Sequence, residues 1–185
     1  MQDKKYAERE IYKVLIKAPI DTVWSELVNT SAPRPFFWNS SWDANDMTAG
    51  NAYRMVSNGG KTVAVIGEIL EMDPPHRLVH SFRLTSLDDP ASKVTYTLRE
   101  TDDGTEFCLV TENIIAGSKS EKSMADGSKF IVQNFKAYVE TGKVTFGARL
   151  MLAMFNIMAP LTPKSMSAKK WPLEQQSKTT ESNDG

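Results

Sequence analysis

GEILEMDPPHRLVHSF, residues 67–82, lies within two β-prone runs, 66–72 and 77–84, parted by Asp73-Pro74-Pro75. The prolines remove two backbone donors and fix φ twice, ending one strand and starting the next, so the stretch reads as a β-hairpin with a stiff corner. In its second run Leu78, His80 and Phe82 share one face while Arg77, Ser81 and Arg83 share the other. One face meets water and the other needs an apolar cover.

Outward from the hairpin the same alternation repeats. Residues 10–16 put Tyr12, Val14 and Ile16 on one face, and residues 52–56 do the same for Tyr53 and Met55. Val63, Val65 and Ile69 share a face with Gly67, where a glycine marks a bulge or the close approach of another element. Val94, Tyr96 and Leu98 alternate with Thr95, Thr97 and Arg99; after the turn at Thr101-Asp102-Asp103-Gly104 come Phe107, Leu109 and Thr111. This makes six strands in a mostly antiparallel meander, the first set apart by an amphipathic helix in KAPIDTVWSELVNT. No helix separates the later strands, which excludes a doubly wound parallel sheet.

The cover is a helix over residues 121–141. Ser128, Ile131, Val132, Phe135, Tyr138 and Val139 form its apolar stripe, Lys129, Gln133, Lys136 and Glu140 lie opposite, and Gly142 stands where it ends. Gly127 allows close approach to the sheet. The proline-broken run SAPRPFFWNSSW, residues 31–42, is too irregular for a strand. Its Phe36, Phe37, Trp38 and Trp42 either plug the end of the core or rim a cavity, and Trp24 either anchors its helix in the core or lines a pocket.

The 185 residues carry 22 Lys and Arg against 23 Asp and Glu, a net charge of -1, so no positive field invites nucleic acid. Cys108 stands alone, and the charged start MQDKKYAERE lacks the apolar run of a secretory signal; a cytoplasmic location is the expectation. Reactive chemistry is sparse. His76 and His80 lie four apart on a strand, about 13 Å at ~3.3 Å per residue, too far for one metal ion. Asp88-Asp89 and Asp102-Asp103 fall at turns, and there is no zinc or nucleophile set and no phosphate loop, so no catalytic residue, metal or cofactor is assigned. The inward His80 is either a satisfied core histidine or a ligand contact or proton relay.

In order along the chain, KAPIDTVWSEL, GNAYRM, GEILEMDPPHRLVHSF, DDGTEFCLVTEN and GSKFIVQNFKAYVE resemble the START-like (SRPBCC, Bet v 1-like) helix-grip superfamily. Within it they are similar to the C-terminal domain of activators of the Hsp90 ATPase, over about residues 9–141. The resemblance implies an α+β helix-grip fold, a curved antiparallel sheet of six or more strands wrapped around a long C-terminal helix, with an apolar pocket between them. Lipid carriers, polyketide cyclases and aromatases, hormone receptors and chaperone-binding domains share that fold, which does not choose among them. One departure stands out: such helices often carry Trp directly after the glycine, whereas Ser128 follows Gly127 here, which widens the cavity or leaves it to Phe130 or the tail.

On this reading residues 1–142 are the helix-grip domain with a frayed lead-in at 1–8, 143–173 an apolar helical extension, and 174–185 a disordered tail. The expected function is binding of a small hydrophobic or amphipathic ligand by Trp38, Tyr53, Met55, Val65, His80, Phe82, Tyr96, Phe107, Ile131 and Phe135. Two alternatives stand beside it: a cyclase- or aromatase-like enzyme in which His80 and a tyrosine move protons, and a chaperone-interacting domain, which follows from the resemblance alone. Residues 144–158 are apolar on nearly every side yet shorter than the about 20 residues of a transmembrane helix. They cap the cavity, form a homodimer contact or lie on a membrane surface, and the first two are preferred because the segment lacks a basic face.

Overall fold

A computed structural model describes residues 5–173 of the protein. The proline corner turns the chain as its residues dictate, between β4 (Thr62–Asp73) and β5 (Arg77–Leu84). Around that hairpin lie β1 (Glu10–Ile16), α1 (Ile20–Leu27), β2 (Ser41–Ala44), β3 (Ala52–Ser57), β6 (Ser92–Thr101), β7 (Gly104–Glu112) and α2 (Lys119–Thr141). The strands form one antiparallel sheet in the order β1-β7-β6-β5-β4-β3-β2, curved around α2: an α+β helix-grip fold.

Two readings of the sequence need correcting here. The sheet has seven strands, because β2 begins within the run read as irregular: Trp42 pairs with Met55, and its indole Nε1 donates to the Leu27 carbonyl at 3.0 Å, so a four-residue strand is held by both its edge and a side chain. Residues 5–8 are not frayed. The Ala7 N–H donates to the Ile114 carbonyl at 2.8 Å, Tyr6 bridges Ile115, and the Ala116 N–H donates to the Lys5 carbonyl, which prolongs the β1–β7 edge. A third difference is local: the β3–β4 register shifts between Met55 and Val56, and Val63 is buried outside the central cluster that holds Val65 and Ile69. The tail 174–185, expected to be disordered, lies outside the described residues.

Helix α2 starts on Ser118, whose Oγ accepts from the Glu121 N–H while Glu121 Oε2 accepts from the Gly117 N–H at 2.7 Å; two donors at the helix start are thereby satisfied. Gly142 ends it at φ 73°, its N–H donating to the Tyr138 carbonyl. Asn134, buried in the apolar stripe, has an unexpected role: its Oδ1 accepts from the Thr145 N–H at 3.0 Å and the Thr145 hydroxyl at 2.9 Å. That pair fixes the start of α3 (Phe146–Met158), which docks through Val144, Ala148 and Leu152. The chain then runs to the outer face of the sheet as a strap. Ser167 bridges Thr62, the Ala168 N–H donates to the Lys61 carbonyl, and the Trp171 carbonyl accepts from Arg54 Nη1 at 2.7 Å. The Arg83 guanidinium lies 5.8 Å over the Trp171 ring.

Candidate functional site

Sheet and helix form a wedge. At its closed end Phe135 of α2 meets Phe36 at 4.7 Å and Phe107 at 4.9 Å between ring centroids, all three fully buried. Toward the N-terminus of α2 the layers part, and a cavity of about 250 Å³ opens between Ser123, Met124, Gly127, Ser128 and Ile131 on the helix and Met55, Val65, Phe82, Val94, Tyr96, Leu109 and Thr111 on the sheet. Small side chains at Gly127 and Ser128 leave the space; a bulky residue there would occupy it.

The aromatic loop supplies the third wall. Trp38 and Asn39 both take left-handed backbone conformations, φ 52° and 55°, which turns the Trp38 ring back over α2 to stack on Phe130 at 4.7 Å and 16°. Its ring edge lies close enough to Gly127 that a Cβ there would stand 3.3 Å from it. The loop therefore does both things its residues suggested: Phe36 plugs the core and Trp38 rims the cavity. Trp24 is buried in the central cluster and does not line the cavity.

One polar corner interrupts the apolar wall. The Tyr53 ring crosses over Gly67, its partner on β4, to bring Oη within 2.9 Å of the Ser81 carbonyl and 2.7 Å of His80 Nδ1. Gly67 is required by that crossing, since a Cβ would sit 2.7 Å from Tyr53 Cε1 and 2.0 Å from the Ser81 oxygen. The proton arrangement that leaves no buried donor unpaired has Tyr53 donating to Ser81 O and neutral His80 donating Nδ1–H to Tyr53 Oη. Nε2 then keeps a buried lone pair without a partner, and the Thr111 hydroxyl, on the same cross-strand row through Val94, is unpartnered as well. Rings of Trp42, Tyr53, Tyr96 and Phe82 surround His80. Burial lowers its pKa to about 4 from 6.5, and burial pushes the Tyr53 and Tyr96 phenols well above their usual range.

A pH dependence follows. Above pH 6.5 both folded and unfolded chains hold His80 neutral; below it the unfolded chain takes a proton that the folded one refuses until about pH 4. Stability therefore falls as pH drops through that window, by roughly 3 kcal/mol at its lower end. Urea unfolding of wild type and His80→Gln across the window should show this extra loss only in the wild type; parallel pH profiles would refute it.

Of the ten residues expected to contact a ligand, Trp38, Tyr53, Met55, Val65, His80, Phe82, Tyr96 and Ile131 line the cavity. Phe107 and Phe135 do not, because they lie where the wedge is shut. Lining residues outside those ten include Met124, Leu109 and Thr111, together with Trp42 and Ser128, which the sequence offers as a candidate rim and as a widening of the cavity. Leu109 and Thr111 were legible from the same inward row as Phe107. None of residues 144–158 lines the cavity. Among the described residues no group of His, Cys, Asp or Glu is placed to hold a metal ion, and no helix is long and apolar enough to cross a membrane.

Residues 17–140 match the family model described as Activator of Hsp90 ATPase homolog 1-like protein. No curated protein matches the sequence. Among similar solved structures, an uncharacterized protein from Rhizobium leguminosarum is 17% identical with a TM-score of 0.59, the match covering 74% of this chain and 95% of that one. PFC0360w, an HSP90 activator from Plasmodium falciparum, is 18% identical with a TM-score of 0.57, covering 72% and 94%. DynU16, a protein in the dynemicin biosynthetic locus, is 24% identical with a TM-score of 0.60, covering 75% of this chain and 49% of its own. At such identities the likeness establishes the fold.

Proposed function

We infer that this chain, which belongs to the family of activator of Hsp90 ATPase homolog 1-like proteins, binds a small, neutral, mostly apolar molecule in the cavity between its sheet and α2. The observation that carries this reading is the lining itself: about 250 Å³ walled by aromatic and aliphatic side chains, with no Asp, Glu, Lys or Arg among them. A charged guest would lose its hydration there and find no counter-charge. The volume falls just below the roughly 300–1,000 Å³ of pockets for drug-sized ligands, which favours a small guest. The buried, unpartnered His80 Nε2 and Thr111 Oγ1 beside the cavity favour a guest with a hydroxyl or N–H group as well as an apolar body.

The test is saturable uptake of N-phenyl-1-naphthylamine, a neutral fluorescent probe, by wild type and Ser128→Phe. Ser128 is buried, lines the cavity and points no charge into it, so phenylalanine fills the void. Ser128→Phe should weaken uptake by about tenfold or more without lowering the melting temperature. No saturable uptake by wild type, or equal uptake by the variant, would sink the reading. The family description and the Plasmodium neighbour favour a second one, contact with an Hsp90-type chaperone. The same variant separates them, since chaperone capture through the outer surface is indifferent to a filled cavity. A cyclase-like enzyme would need a proton carrier at the guest, and His80, hydrogen-bonded to Tyr53 and packed on Tyr96, is the histidine on the cavity wall.

A further inference from the structure

Helix α3 presents two unlike faces. Ala148 and Leu152 are buried against the body; about half a turn round the helix, Phe146, Leu150, Met154, Ile157 and Met158 stand in solvent, followed by Leu161, each between 52% and 80% exposed. Over 13 residues at about 1.5 Å each the stripe is roughly 20 Å long. Scattered exposed apolar residues are ordinary, whereas a continuous row of them marks a contact surface. The charges of the segment that carries it are of one sign. Lys143, Arg149, Lys164, Lys169 and Lys170 are all exposed, and residues 143–173 contain no Asp or Glu, although the whole chain stands at -1. Arg149 lies on the flank of the stripe, its guanidinium 5.5 Å over the Phe146 ring.

These facts choose among occupants. Residues 174–185, EQQSKTTESNDG, hold no large apolar side chain with which to cover the stripe. A second copy docked about a two-fold axis would bring like extensions together, each bearing cations and neither a carboxylate. An anionic phospholipid surface supplies both missing partners, acyl chains for the stripe and phosphates for the cations. We propose that α3 docks the protein on an anionic bilayer surface, stripe inward, without spanning it. On its other side α3 rests by the aromatic loop: Pro35 borders the same groove as Leu152 and Arg149. This inference rests on the α3 surface and holds whatever the cavity contains.

Flotation of the full chain with phosphatidylcholine vesicles, with and without about 30 mol% phosphatidylserine, tests it. Wild type should float with the anionic vesicles, about tenfold more than with the neutral ones, and should be largely released at about 0.5 M salt. Leu150→Glu/Ile157→Glu, at two exposed positions, should lose flotation while keeping circular dichroism and naphthylamine uptake unchanged. Absence of wild-type flotation, or equal flotation of the variant, overturns the proposal. So does a dimer in sedimentation equilibrium that the double variant dissociates, which would give the stripe to a second copy. Probe uptake reads the cavity and flotation reads α3, so the two readings fail separately.

Discussion

Gly67→Ala should destabilise the protein by about 3 kcal/mol, the upper end of what a methyl group forced into a packed site costs. The added Cβ would stand 2.0 Å from the Ser81 carbonyl oxygen and 2.7 Å from Tyr53 Cε1. The first contact is to the backbone of β5, which cannot yield without breaking the ladder; the second is to the ring that carries the hydroxyl joining Ser81 and His80. Urea unfolding gives the measurement, with Gly147→Ala as the control: that glycine lies in α3, an added methyl there would meet nothing within 4 Å, and alanine suits a helix better. A Gly67→Ala protein within about 0.5 kcal/mol of wild type would show that the crossing of Tyr53 over β4 is not a constraint.

Phe135→Ala should cost about 4 kcal/mol, as deletion of a buried phenylalanine ring does. The ring is fully buried and touches both Phe36 and Phe107, so its loss leaves a void at the closed end of the wedge. At temperatures where the variant is folded, naphthylamine affinity should change less than it does for Ile131→Ala, which cuts into the cavity wall itself. The reverse pattern, full stability with uptake abolished, would return Phe135 to the ligand contacts its sequence position suggested.

Why the sequence led to Phe107 and Phe135 at all is a matter of periodicity. Alternation with period two fixes which face of a sheet a side chain occupies, and the helical repeat fixes its stripe; neither says how far along the element two layers remain in contact. Phe107 and Thr111 share the inward face of β7, yet they are four residues apart, about 13 Å, and only Thr111 reaches the open end. On α2 the same division falls between Ile131 and Phe135, one turn apart. The fold was legible because every inward row agreed with the proline corner and with a single long stripe to cover them. β2 escaped because its four residues follow prolines and a 3-10 turn, and its strand character comes from pairing with β3 rather than from its own pattern. The role of Asn134 escaped too, since nothing local marks a polar residue in a stripe as the anchor of a segment eleven residues on.

The strap over the outer face has a kinetic consequence. Strands β3, β4 and β5 face the cavity on one side and are tied through Arg54, Lys61, Thr62 and Arg83 to residues 167–171 on the other. A wall tied down on its outer face has less freedom to move than the aromatic loop, where Trp38 rims the cavity and its backbone and that of Asn39 are left-handed. On the proposed binding function, substitutions in that loop should change the dissociation rate of N-phenyl-1-naphthylamine more than its equilibrium affinity.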